Sequence, residues 1–179
     1  MMEEHGLYGK HYTPRLYSRL AESLSYTGKH SEAESVLLKA YHAIQQIYGG
    51  KSAESGLMSA KLGEAYSSSC NYKRSLPFLI ETINNKDFMR NQSDYDKAII
   101  YGHMASAYLF CDQYEEAEKY DRIFFEYARK SAGECSALIA AGYAGQAMFY
   151  YRKHKIKMAI DLLNKSYTIF KKINGDQHR

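Results

Sequence analysis

Small residues stand at a fixed step of 42 positions along this chain: Ala21, Gly63, Ala105 and Ala147. The same step aligns their neighbours without a gap. Leu20, Leu62, Met104 and Gln146 precede the small residue, and Leu24, Tyr66, Tyr108 and Tyr150 follow it three positions later. Beyond a short break come His30, Tyr72, Tyr114 and Ile156, then Ala33, Ser75, Ala117 and Ala159. Leu37, Leu79, Asp121 and Leu163, with Ala40, Thr82, Phe124 and Ser166, complete the copy. A constant period of this length marks a repeat architecture, in which one copy cannot bury both its faces and neighbours must stack.

Within each copy the apolar and aromatic residues recur three or four apart on both sides of the break, which is the spacing of a helix face. Each copy is therefore a helix hairpin. First helices are expected near 12–27, 53–69, 94–111 and 134–153, and second helices near 30–47, 72–86, 114–130 and 156–173. The hairpin turns are Thr27-Gly28-Lys29, Ser69-Cys70-Asn71, Cys111-Asp112-Gln113 and Lys153-His154-Lys155; Gly49-Gly50-Lys51, Asn91-Gln92-Ser93-Asp94 and Ala132-Gly133 separate the copies. Pro14 falls in a first turn, where proline is tolerated. Pro77 falls inside a second helix, where it removes a backbone bond and is expected to bend the wall. Gly63 and Ser75 are read as close-approach positions for the two helices of one hairpin. The expected class is all-α, a right-handed α-solenoid of about four helix hairpins. Its repeat domain is 12–173 (units about 12–47, 53–86, 94–130 and 134–173), between an N-terminal extension, 1–11, and a C-terminal connector, 174–179.

Eighteen tyrosines, no tryptophan and two prolines agree with many shallow helix interfaces, since tyrosine packs its ring and keeps its hydroxyl available. The first ten residues contain no apolar leader core, and no apolar run approaches the roughly 20 residues of a membrane span. Cys70, Cys111 and Cys135 are odd in number and lack CxxC spacing, so they read as reduced thiols in a cytoplasmic protein. Asn91-Gln92-Ser93 and Asn164-Lys165-Ser166 fit the glycosylation pattern only by chance on that reading. The formal charge of +4 is concentrated at one end, because residues 152–179 hold eight basic and two acidic side chains.

The segments LAESLSYTGKHSEA, LGEAYSSSCNYKRS, MASAYLFCDQYEEA and QAMFYYRKHKIKMA resemble tetratricopeptide (TPR) repeats, whose common period is about 34. The longer step and the SLPFL segment are similar to the kinesin light chain subclass. The resemblance covers about residues 12–173. It departs at the paired asparagines of that subclass, which are here Ser18-Arg19, Ala60-Lys61, Gly102-His103 and Ala144-Gly145. Peptide-sensing bacterial regulators share the architecture. The resemblance implies a protein or peptide partner held in a concave groove lined by the first helices.

On that reading Arg19, Lys61 and His103 share one rung, Glu22, Glu64 and Ser106 lie one turn further on, and Arg15 lies one turn before. Cationic and donor groups there would grip a carboxylate, a row of carbonyls or an acidic peptide. Tyr26, Phe110, Met148 and Tyr151 would supply apolar contacts, with Leu109 and Arg152 beside them. A plainer reading stands alongside: Arg19 with Glu22, and Lys61 with Glu64, are i, i+3 pairs that neutralise one another for about 0.2–0.5 kcal/mol each. The run Arg152-Lys153-His154-Lys155-Ile156-Lys157 lies in a turn and carries no nucleic-acid motif, so no nucleic-acid partner is expected. No histidine pairs with another histidine or a cysteine at i, i+4 within a helix, and no hydrolase motif occurs, so neither an enzyme nor a cofactor or metal is expected. Among the thiols, Cys70 at a helix start is best placed for reactivity. The last copy lacks a polar capping helix, so either the array continues in a longer chain or its open C-terminal face docks on a second copy as a homodimer.

Overall fold

The structure, a computed structural model, describes residues 13–175. The expected N-terminal extension, 1–11, and all but the start of the 174–179 connector lie outside the described residues. Every regular element among them is a helix: α1 (Thr13–Tyr26), α2 (His30–Tyr48), α3 (Ala53–Ser68), α4 (Tyr72–Asn84), α5 (Lys86–Arg90), α6 (Asp94–Phe110), α7 (Tyr114–Ala132), α8 (Ala137–Arg152) and α9 (Ile156–Asn174). The all-α class is what the period implies. With α4 and α5 taken together, the second helices begin at 30, 72, 114 and 156 and end at 48, 90, 132 and 174, the same step of 42 throughout.

Each hairpin turn has one construction. The carbonyls of Leu24, Tyr66, Tyr108 and Tyr150 accept the backbone N–H five residues on, from Lys29, Asn71, Gln113 and Lys155, at 2.8–2.9 Å. That bond needs a left-handed residue just before the donor. Gly28 supplies it in the first copy; Cys70, Asp112 and His154 are forced into it in the others, with φ of 58°, 61° and 56°. At the other ends Ser52, Ser93 and Ser136 accept the N–H of Ser55, Asp96 and Ile139, each cap contributing about 1 kcal/mol.

The chain divides between Asn91 and Gln92 into two compact units. In the first, α1 pairs with α2, α3 pairs with α4, and α2 packs against α3. Ala21, Ala33, Leu37, Leu62 and Tyr66 form one core cluster, and Ala40, Ile44 and Met58 a second. Gly63 is a true close approach: a Cβ there would lie 2.7 Å from Leu79 Cδ2 and 3.4 Å from the Leu79 backbone nitrogen. Ser75 Oγ, on the facing helix, donates to the Gly63 carbonyl at 2.7 Å. The pair explains why both positions stay small.

The second copy departs from a plain hairpin. A continuous helix to residue 86 is expected, but α4 ends at Asn84 and α5 restarts after Asn85. Asn85 uses its amide twice: Oδ1 accepts the Phe88 N–H at 2.9 Å, and Nδ2 donates to the Ser52 carbonyl at 2.8 Å. The break seats buried Phe88 over Gly56, where a Cβ would come 2.4 Å from the phenylalanine Cβ. Pro77 lies inside α4.

In the second unit α6 pairs with α7, α8 pairs with α9, and α7 packs against α8. Ala98, Phe124, Phe125, Ala128 and Ile139 are its buried cluster. Four tyrosines stack along the α6–α7 hairpin: Tyr127 on Tyr101 (5.6 Å, 7°), Tyr101 on Tyr120 (6.1 Å, 14°) and Tyr120 on Tyr108 (5.4 Å, 2°). Ser166 Oγ repeats the Ser75 device across α8 and α9, donating to the Ala140 carbonyl at 2.7 Å.

Candidate functional site

The site follows from a displacement of bulk between helices. Where α2 meets α3, the second helix contributes small Ala40 and the first contributes fully buried Met58. At the equivalent positions of α7 and α8 stand Phe124 and Gly142, so the large side chain has moved to the second helix. A Cβ on Gly142 would lie 2.4 Å from Phe124 Cε1, and one on Gly102 of α6 would lie 3.1 Å from Phe124 Cδ2. Phe124 is thus wedged beneath α6 and α8, and small residues on both helices leave a recess above it.

That recess, a cavity of about 330 Å³, lies between α6, α7 and α8. From α6 it takes Gly102, His103, Ser106 and Leu109; from α7, Glu118, Asp121, Arg122 and Phe124. From α8 come Leu138, Ala141, Gly145, Gln146 and Phe149. Gly145 is exposed, and a Cβ there would meet nothing within 4 Å. The wall is mainly apolar, with a few polar groups converging on it, which is the composition of a ligand pocket.

Two of those polar groups occupy core columns of the repeat. Asp121 stands where the other copies have Leu37, Leu79 and Leu163, and Gln146 where they have Leu20, Leu62 and Met104. They are paired: Gln146 Nε2 donates to Asp121 Oδ2 at 2.6 Å. Burial, reinforced by the Glu118 charge and only partly offset by the Gln146 bond, pushes the Asp121 carboxyl up to about 6. No lysine or arginine among the described residues forms an ion pair with it. Arg122 is the next residue on α7, and adjacent helix positions do not face each other.

The sequence-predicted residues fall into three groups. His103 and Ser106 line the cavity, and Gly145, the rung position of the fourth copy, lines it with them. Lys61 is committed elsewhere, bonded to Glu22 at 2.9 Å and Glu64 at 3.1 Å, so the neutralising reading describes its environment and adds a cross-helix partner. Burial opposes its charge, but the two carboxylates outweigh that and hold the ammonium above the ordinary lysine range. Arg19 is exposed on α1, Tyr26 is 91% exposed, and Arg15 belongs to α1. Phe110, Met148 and Tyr151 are exposed outside the cavity wall, Tyr151 at 61%. Arg152 bonds Asp112 at 2.6 Å and lies over the Phe110 ring at 5.4 Å; Lys153 lies over Phe149 at 4.3 Å. Two cations of the basic run are therefore engaged within the unit. Cys70, Cys111 and Cys135 are free thiols.

Sequence reasoning missed Asp121, Gln146 and Phe124 as site residues, although all three stood in the aligned columns. The available signal was the departure itself: one acid in a leucine column, one amide in an apolar column, one phenylalanine in a small column.

No family model and no curated protein sequence matches the chain. Among solved structures, a match is the crystal structure of a candidate kinesin light chain from Podospora anserina with nearly identical TPR-like repeats. It is 14% identical, with a TM-score of 0.45 over 91% of this chain and 98% of that one. At that score and identity the likeness establishes neither family nor function.

Proposed function

We propose that the chain is a non-enzymatic, TPR-like binding module of the 42-residue type, which receives an extended segment of a protein partner on the first-helix side of its hairpins. The observation that carries this reading is the recess between α6, α7 and α8. It is preformed, because Gly102, Gly142 and Phe124 lock its floor, and its 330 Å³ lies within the roughly 300–1,000 Å³ of ligand pockets. In unit 1 the corresponding rung is closed by the Glu22–Lys61–Glu64 ion pairs, so the second unit is the receptive half. His103 and Ser106 are its recognition groups on α6. Within the second unit, Phe110, Met148 and Tyr151 would contact the segment outside the recess. The free thiols suit a cytoplasmic setting. Selection from a displayed random-peptide library tests the reading. Specific peptides should be recovered on the native protein and lost on Gly145→Leu, which fills the recess from an open helix position. Recovery of equal peptides on both proteins would refute it.

A second reading rests on α9. Ile156, Ile160, Leu163, Tyr167 and Phe170 form a stripe at alternating steps of four and three, all exposed, Leu163 at 50% and Tyr167 at 66%. In α7 the positions equivalent to Tyr167 and Phe170 are Phe125 and Ala128, which are buried in the cluster shared with α8. The α9 stripe is therefore shaped to receive a further helix, as in self-assembly through this face.

A further inference from the structure

A neutral peptide would satisfy the size of the recess but not its charge. Asp121 reaches it from a column that is leucine in the other copies, and Gln146 from a column that is otherwise apolar, so both apolar fillings have been given up at one place. Their mutual bond uses Gln146 Nε2 and Asp121 Oδ2. Asp121 Oδ1 and Gln146 Oε1 remain acceptors, and neither can donate while the carboxyl is ionised. Glu118 and Arg122, both exposed, also line the recess and offset each other in charge, and Arg122 makes no ion pair with Asp121. The carbon part of the lining is Leu109, Leu138, Phe149 and Phe124, with His103 and Ser106 beside it. A half-buried carboxylate with one oxygen unused, beside the Gln146 Oε1 acceptor in a mainly apolar recess, is complementary to a cation carried on an alkyl stem.

We infer that the recess receives the side chain of a lysine or arginine from the partner segment, its stem against Leu109 and Phe149 and its charged head on Asp121 and Gln146. The inference rests on the groove reading above and reverses the charge expected of the bound peptide at this position, since donors on the first-helix rung point to an acidic ligand. It also gives Gln146 a role: its amide orients the carboxylate and offers a second acceptor to the incoming head.

The test compares peptides selected from a random library on the native protein with those selected on Asp121→Asn, which keeps the shape and the Gln146 bond but removes the charge. Native selections should be enriched in lysine or arginine at one position, and Asp121→Asn should lose that enrichment. By calorimetry, a selected peptide should bind Asp121→Asn at least tenfold more weakly, and replacing its basic residue by norleucine or citrulline should cost the native protein as much. Peptides recovered without basic enrichment would overturn the cation inference and leave the groove reading standing. Failure to recover any peptide would overturn both. Displacement of the peptide by spermidine at equal concentration would assign the site to free amines and overturn the side-chain assignment. Circular dichroism of Asp121→Asn checks its fold, and Gly145→Leu, which blocks the recess without touching Asp121, must abolish the same binding.

Discussion

Replacing Asp121 by asparagine should make the protein more stable at neutral pH, and by an amount that depends on pH in a defined direction. Burial pushes the carboxyl up to about 6 in the folded chain, against about 3.9 for an unperturbed aspartate. Folding therefore favours its protonated form. Between pH 4 and 6 the native state binds more protons than the unfolded state, so stability falls as pH rises through that window. A carboxyl raised from about 3.9 to about 6 disfavours the ionised folded state by about 3 kcal/mol, and partial solvent access reduces this to about 2 kcal/mol. Asparagine keeps an acceptor for Gln146 Nε2 and has no charge to lose. Urea unfolding of both proteins, followed by far-ultraviolet circular dichroism at pH 4 and pH 7, isolates the contribution as a difference of differences. Asp121→Asn should gain about 2 kcal/mol over the native chain at pH 7 and less than about 0.5 kcal/mol at pH 4, where the unfolded carboxyl is already half protonated. An equal difference at both pH values would refute the burial argument, because a solvated carboxylate would show no such linkage.

Other consequences can be checked on the same footing. Gly145→Ala should stabilise α8 by about 0.5–1 kcal/mol, since the added methyl meets nothing, whereas Gly142→Ala should cost about 1–3 kcal/mol through collision with Phe124 and Phe125; denaturant midpoints separate the two. Cys70→Gly should stabilise by about 1 kcal/mol by relieving a left-handed cysteine, and Gly28→Ala should lose a similar amount, read as opposite shifts in Tm. Leu163→Glu should dissociate any oligomer seen by light scattering; a native chain that stays monomeric at all concentrations would remove the basis for self-assembly through α9.

The repeat was legible because its spacing is set by backbone geometry. Small residues at Gly63 and Ser75 and a five-residue closing bond at each hairpin fix where helices start and stop, and those positions recur at one step. What the sequence hid depends on tertiary partners. Nothing local to Asn85 announces that its amide will bridge Phe88 and Ser52, so the break into α4 and α5 was missed. Cys70, Asp112 and His154 carry no glycine-like mark of their left-handed backbone; only their alignment with Gly28 does. Lys61 looked available because Glu22, its nearest partner, lies on another helix. Asp121 and Gln146 were visible one column at a time, but their pairing across α7 and α8 required the fold. For Lys61, Asp121 and Gln146 a long-range neighbour changed the meaning of a local pattern.

The stack of Tyr127, Tyr101, Tyr120 and Tyr108 has an optical consequence. Without tryptophan, the near-ultraviolet spectrum of this chain belongs to its tyrosines, and parallel rings 5.4–6.1 Å apart couple their transitions. The hairpin of α6 and α7, which carries one wall and the floor of the recess, thus has its own chromophore. Its opening, or its tightening around a guest, can be watched by light without a label.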